Sequence, residues 1–127
     1  MERQRVSSGS PYEGSVGFSR AVRVGSYVAV SGTAPIWPDG SVHPAALSQA
    51  RRCWEIALAA LAEAGGSPQD VVRTRHYITS IEVTEEVSQA HGEVFSEIRP
   101  ASTMVVVAAL LDPRWVVEVE LDAVLPS

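Results

Sequence analysis

The sequence predicts an α+β fold in which two helices pack on one face of a mixed β-sheet. A helical period of apolar residues runs from Ala45 to Ala64, and a second helical segment follows Thr84. Around them lie six short segments of strand character, in the order β-β-β-α-β-α-β-β. Strands and helices interleaved in this way form a sheet that helices cover on one side.

Length and charge narrow the protein class. The 127 residues fit one domain, residues 1–127, with a core of its own. The net charge of -5 argues against a nucleic-acid partner, because duplex binding depends on Lys and Arg. No apolar run approaches the roughly 20 residues that span a bilayer, and the N-terminus is too polar for a signal peptide. We therefore expect a cytoplasmic protein with no membrane partner.

The N-terminal elements follow from turn chemistry. Arg3 to Ser7 alternates weakly and is followed by a loop rich in Gly and Ser. Two β-rich runs, Ala21 to Val24 and Tyr27 to Ser31, flank Gly25-Ser26 and predict a hairpin. Three prolines and two glycines then predict a loop up to Pro44.

The C-terminal elements follow from periodicity. The first helix ends at Gly65-Gly66, and Asp70 to Ile78 alternates as a strand. Thr84 is the expected N-cap of the second helix, and the last two strands are Thr103 to Val107 and Val116 to Val124. A valine-rich face that the helices leave uncovered predicts a homo-oligomer.

The last strand carries the first candidate for chemistry. Alternation places Glu118, Glu120 and Asp122 on one face. A solvated strand face is the expected setting of Glu120 and Asp122. For Glu118, which lies beside Trp115 and Val116, a solvated position and a partly buried one are equally expected. Burial would raise its pKa into the range of a general acid or base.

Other candidates are single residues, since no high-specificity catalytic motif is present. Arg73 and Arg75 share a strand face and either hold a carboxylate or protect an edge strand by charge. His91 lies on the inward helical face and either reaches a ligand or finds a partner in the core. Gly32 either presents its N–H to a ligand or forms a bend. Cys53 stands alone, so we expect no disulfide, and no metal constellation is visible.

Three long segments resemble the Rid family, also called the YjgF or reactive-intermediate deaminase family. They are GFSRAVRVGSYVAVSGTAPI, QARRCWEIALAALAEAGGSPQDVVRTRHYIT and RPASTMVVVAALLDPRWVVEVELDAV. The resemblance covers about Val16 to Leu125. It implies a chorismate-mutase-like fold and a homotrimer whose sheets form a central barrel, with ligand clefts between subunits.

In the deaminase branch of this family, hydrolysis turns 2-imino or enamine acids into 2-keto acids and ammonia. The resemblance carries the glutamate that handles the hydrolytic water onto Glu118, the glycine amide onto Gly32, and the aromatic wall onto Phe18, where tyrosine is usual. The substrate-binding arginine falls on Ser102, and the neighbouring cysteine position falls on Met104. A serine lacks the two-donor fork of arginine, and losing such a charged pair costs about 2–5 kcal/mol of binding.

The resemblance implies a Rid-like hydrolase of imines, enamines or related labile intermediates, with a substrate that differs from the usual 2-imino acids and with no cofactor. Glu118 would be the acid/base. The expected ligand-contacting residues are Phe18, Gly32, Thr33, Ser102, Met104, Trp115, Arg75 and His91. Two alternatives stay open: a non-catalytic trimer that binds a small molecule as a sensor or scavenger, and an accessory enzyme of a specialised pathway that uses the same inter-subunit cleft. The sequence is thus compatible with an enzyme and with a binding protein.

Overall fold

A computed structural model describes all 127 residues and confirms the predicted order of elements. The strands are β1 (Arg3–Val6), β2 (Ala21–Val24), β3 (Tyr27–Thr33), β4 (Val71–Ile78), β5 (Ala101–Val106) and β6 (Val117–Val124). The helices are α1 (Ala46–Glu63) and α2 (Thr84–Phe95).

The six strands form one mixed sheet in the order β1-β2-β3-β6-β4-β5. β4 and β5 are parallel, and every other neighbouring pair is antiparallel. The predicted hairpin joins β2 to β3, and its turn residue Gly25 has a φ of 62°, a conformation that glycine adopts without strain. The last strand of the chain therefore lies inside the sheet, between β3 and β4.

The core lies between the sheet and the two helices. α1 contributes Trp54 and Leu61, and α2 contributes Val87 and Phe95, all of which are buried. Alternate residues of β6 face these helices, as the sequence pattern predicts: Val117, Val119, Leu121 and Ala123. In β4, Thr74, His76 and Ile78 are buried in the same way.

The face of the sheet opposite the helices, here called the open face, differs from the valine-rich surface that the sequence predicts. Its centre is polar, because Arg75 pairs with Glu120 at 3.2 Å and approaches Asp122 at 3.9 Å. Exposed valines, such as Val105 and Val124, lie nearer its rim. The strand valines of the pattern are divided between the two faces, so the open face combines the expected exposed valines with a charged centre.

Two local features also differ from expectation. Thr84 is the first residue of α2 rather than its N-cap, and its hydroxyl donates a hydrogen bond to the carbonyl of Ile81 at 2.6 Å. A short 3₁₀ turn precedes the helix, and the Ser80 hydroxyl accepts from the N–H of Glu82 in that turn. The predicted glycine-rich loop contains one helical turn, Glu13–Gly17.

Gln49 joins α1 to two loops from inside the protein. Its side chain is 1% exposed. Nε2 donates to the carbonyls of His43 and Arg114, both at 2.9 Å, and Oε1 accepts from the N–H of Val116 at 2.8 Å. The amide therefore satisfies three buried backbone groups, one of which lies directly before β6.

We predict that Gln49→Met destabilises the fold by about 2–4 kcal/mol, because the two carbonyls and the N–H lose their partner at nearly constant side-chain volume. Urea unfolding of the variant measures this. Gln89→Met, on the exposed side of α2, is the matched control. Equal unfolding free energies for the two variants would contradict the assignment.

Candidate functional site

Glu118 lies on the open face, and its carboxyl group is half-buried against β3. It is paired with Tyr77 of β4 across the sheet. On its other side it contacts Gly32, where an added Cβ would collide with Glu118 Oε2. Glycine at position 32 therefore provides the space that the carboxylate occupies.

A β-bulge explains why Gly32 faces Glu118. Val30 pairs with Leu121 and Thr33 pairs with Val119, so β3 uses three residue steps where β6 uses two. The extra residue bends the end of β3 and changes the direction in which its last residues face, as bulges near functional sites commonly do. Thr33 is then fully buried, and its hydroxyl donates to the carbonyl of Ser31 at 2.8 Å.

Arg20, which sequence reasoning did not single out, completes this corner of the sheet. Its Nη1 donates to the Gly32 carbonyl at 3.4 Å and to Thr33 Oγ1 at 3.2 Å. Burial lowers the pKa of Arg20, while Glu13 and Glu118 partly oppose this by their charge. We call Arg20, Gly32, Thr33 and Glu118 the bulge cluster.

The protonation of Glu118 is shifted by its surroundings. Burial raises the pKa of the carboxyl, the neighbouring charge of Glu120 raises it further, and Arg20 lowers it. Glu120 itself is stabilised by Arg75 and by the hydroxyl of Tyr77, which donates to it at 2.7 Å. Of the two glutamates, Glu118 therefore has the weaker compensation, and the upward direction of its pKa is the one that a general acid or base requires.

A second set of predicted residues gathers on the helix-facing side of β4 and β5. Thr74 Oγ1 lies 2.7 Å from Ser102 Oγ and 2.9 Å from His91 Nε2. Met104 is paired with His76 and packs against the core. We call Ser102, Met104 and His91, with Thr74, the β5 cluster.

The imidazole of His91 thus has the partner that a half-buried polar ring requires. Burial lowers the pKa of His91, and burial together with His91 lowers the pKa of His76 to about 4. Both rings are therefore neutral at pH 7. They pack edge-on against each other and against Trp54, which makes this side of the β5 cluster aromatic.

Within one chain, the two clusters do not meet. Ser102 is paired with Thr74, which is paired with Leu121 of β6. Ser102 and β6 are thus two strand spacings apart, roughly 10 Å, and Glu118 points to the opposite face. A ligand that touches both clusters would need a second copy of the chain.

The remaining predicted residues are placed as follows. Arg75 is held by Glu120 and Asp122, so it is not a free cation for a ligand. Phe18 is 39% exposed and lies two residues before Arg20. Trp115 is half-buried just before β6, and its indole N–H has no hydrogen-bond partner.

Other kinds of site find no support in the side-chain arrangement. No three His, Cys, Asp or Glu side chains lie close enough together to hold a metal ion. Cys53 is fully buried, and burial raises the pKa of its thiol. None of the helices has the length and apolar character needed to cross a membrane.

Comparison with known proteins gives consistent matches over most of the chain. Residues 10–125 match the family model described as Endoribonuclease L-PSP. The protein SCO2049 of Streptomyces coelicolor is 38% identical over 123 residues, which cover 94% of this chain and 90% of that protein. A RutC family protein of Pyrococcus abyssi, PYRAB12510, is 32% identical over 109 residues, or 84% of each chain.

Solved structures agree with these matches. Rv2704 of Mycobacterium tuberculosis, described as a member of the YjgF/YER057c/UK114 family, has a TM-score of 0.89 and 42% identity, covering 98% of this chain and 100% of that one. TdcF of E. coli, solved with bound serine, has a TM-score of 0.81 and 26% identity, covering 94% and 92% of the two chains. The six-stranded sheet with two helices is thus the chorismate-mutase-like fold of these neighbours. The chain belongs to the endoribonuclease L-PSP family, which is the YjgF or Rid family.

Proposed function

We propose that this protein is a Rid-like hydrolase of imines, enamines or related labile small molecules, with Glu118 as its acid/base. The half-buried carboxyl of Glu118, set against Gly32, is the observation that carries the proposal. Its neighbours on the same face, Glu120 and Asp122, are engaged by Arg75, whereas Glu118 is in no ion pair. Family membership supports a small-molecule function in general, and the reaction is the finer part of the proposal.

The chemistry needs one group that both accepts and returns a proton. In the ionised form, the Glu118 carboxylate takes a proton from water as the water oxygen attacks the carbon of a protonated imine. The resulting carbinolamine has its hydroxyl and amino group on one carbon. Glu118 then returns the proton to nitrogen, and ammonia leaves as the hydroxyl gives its proton to the Glu118 carboxylate and the carbonyl forms; Glu118 finally releases this proton to solvent or to the departing ammonia. A protonated imine is already electrophilic, so oriented water and one acid/base suffice without a cofactor.

We further propose that the cleft lies between copies in a homotrimer of 127-residue domains. This arrangement would place the β5 cluster of one copy near the bulge cluster of the next, which a single chain keeps apart. The unpaired outer edge of β5 and exposed valines such as Val105 and Val124 support an interface there. Phe18 and Trp115 would form apolar walls of the cleft.

A second candidate is a non-catalytic trimer that binds a small molecule. The β5 cluster favours this alternative, because Ser102 is hydrogen-bonded to Thr74 and offers a ligand no positive charge. The two candidates differ in whether Glu118 turns a ligand over or merely contacts it.

The catalytic proposal predicts that Glu118→Gln lowers kcat for ammonia release by about 10²–10⁴-fold, since the amide cannot exchange the proton. Freshly generated 2-aminoacrylate and longer 2-imino acids are the substrates. Glu120→Gln makes the same change on the same face and should retain turnover. Turnover that survives in Glu118→Gln would contradict the assignment, and ligand binding without turnover in the natural protein would favour the second candidate.

The raised pKa of Glu118 also predicts that the stability of the fold depends on pH. Because the pKa of Glu118 is raised above 4.5 in the folded state, the folded protein holds this proton more tightly than the unfolded chain. Protonated Glu118 therefore adds to the free energy of unfolding. This contribution is fully present below pH 4.5 and is lost as the pH rises through the pKa of Glu118 in the folded state. Glu118→Gln should therefore raise Tm more at pH 7 than at pH 4.

Thermal unfolding at the two pH values measures this difference. Glu120→Gln is the control and should lower Tm at pH 7, because it weakens the contacts to Arg75 and Tyr77. A Glu118→Gln variant that is less stable than the natural protein at pH 7 would refute the account of Glu118.

The trimer predicts a sedimenting species of three times 13.6 kDa at micromolar concentration. Analytical ultracentrifugation measures it directly. Introducing a charge at the exposed rim with Val105→Asp should shift the protein toward monomer, whereas Leu111→Asp, in an exposed loop, should not. A natural protein that sediments as a monomer would exclude a cleft shared between copies.

A further inference from the structure

The guanidinium of Arg20 is held by one of its three nitrogens. Nη1 makes both hydrogen bonds, to the Gly32 carbonyl and to Thr33 Oγ1. Nε and Nη2 have no partner in the chain, and no carboxylate lies within 4.0 Å, since Arg20 is in none of the five ion pairs. A half-buried, anchored cation is thus left with a free edge.

Two other arginines of this chain bind a carboxylate with the edge that is free in Arg20. Arg114 uses Nε and Nη2 to hold the two oxygens of Asp112, at 3.1 and 2.8 Å. Arg51 holds Glu93 with the same two nitrogens, at 2.8 and 2.5 Å. This side-on fork matches a carboxylate with two parallel hydrogen bonds. In Arg20 the corresponding pair is unoccupied and Nη1 fixes the plane of the group.

The position of Arg20 links it to Glu118. The two side chains contact Gly32 from different sides, Arg20 at its carbonyl and Glu118 at its Cα. They are close enough for each charge to affect the other, yet they form no ion pair. Their charged groups are therefore more than 4.0 Å apart, so Glu118 does not occupy the free edge of Arg20. Arg75, a second cation on the open face, is already held by Glu120.

Building on the proposed function, we infer that Arg20 binds the carboxylate of the ligand that Glu118 acts upon. Ser102, where the deaminase branch has its arginine, supplies no charge. Arg20 belongs to the same chain as Glu118, so the carboxylate would be held from the β2–β3 side of the cleft rather than from β5.

Binding of an anion would also act on the proton of Glu118. The groups that face Glu118 are Arg20, Glu120 and Tyr77, with Cys53 beneath, and among them only Arg20 lowers its pKa. A carboxylate on Arg20 neutralises that positive charge, which favours the protonated form of Glu118. Ligand binding would thus strengthen ionised Glu118 as the base that takes a proton from the attacking water.

Calorimetric titration tests the inference with 2-oxobutyrate, a product-like carboxylate, and 2-oxobutanamide, its neutral counterpart. In Arg20→Gln the affinity for 2-oxobutyrate should fall about 10–100-fold, the range of a charge-assisted hydrogen-bonded pair. The affinity for the amide should be nearly unchanged. The affinity of Arg20→Lys for 2-oxobutyrate should lie between those of the natural protein and Arg20→Gln, because lysine keeps the charge and lacks the two-donor fork. Arg51→Gln, the same change at a surface ion pair, should bind both ligands as the natural protein does.

Three results would overturn the inference: no binding of 2-oxobutyrate by the natural protein, unchanged affinity in Arg20→Gln, or an equal loss for both ligands, which would indicate a structural role. The test is separate from that of the hydrolase. A protein that binds 2-oxobutyrate through Arg20 but releases no ammonia would refute the catalytic proposal and leave the carboxylate site standing. Loss of turnover in Glu118→Gln together with intact 2-oxobutyrate binding in Arg20→Gln would support the catalytic proposal and refute the carboxylate site at Arg20.

Discussion

The burial of β6 between β3 and β4 is the constraint on which the candidate site depends. One side of this strand lies under the helices and carries Val117, Val119 and Leu121, so its register is strongly fixed. A slip by one residue would move Glu118 and Glu120 into the core, where unpaired carboxylates are costly. The hydrophobic side of β6 thereby determines where its acids lie on the open face.

The three acids of β6 share one face but differ in how their negative charge is compensated. Glu120 and Asp122 share Arg75, which compensates their charge at the centre of the open face. Glu118 instead meets a glycine, because the bulge in β3 turns Gly32 toward it. A buried acid without an ion-pair partner weakens the fold at neutral pH, which is a cost that functional sites commonly carry. Arg20, with its free edge, gives this corner a positive charge that a ligand can use.

The sequence predicted what depends on periodicity and missed what depends on a single residue. The faces of α1 and β6 follow from patterns that many residues share, and the structure confirms them. The bulge is one extra residue in a short strand, and no period reveals it. Arg20 precedes β2 and joins the site by folding back onto Gly32 and Thr33, a tertiary contact. The separation of Ser102 from Glu118 follows from the sheet order, which places the last strand inside the sheet.

Titration of the Glu118 carboxyl group measures whether its surroundings raise its affinity for a proton. Carboxyl ¹³C NMR of glutamate-labelled protein resolves the group, and Glu118→Gln assigns its signal. The midpoint is expected to lie above the ordinary value of 4.5 and to rise further in Arg20→Gln. A midpoint at or below 4.5 that does not respond to Arg20→Gln would show that Glu118 is an ordinary solvated acid.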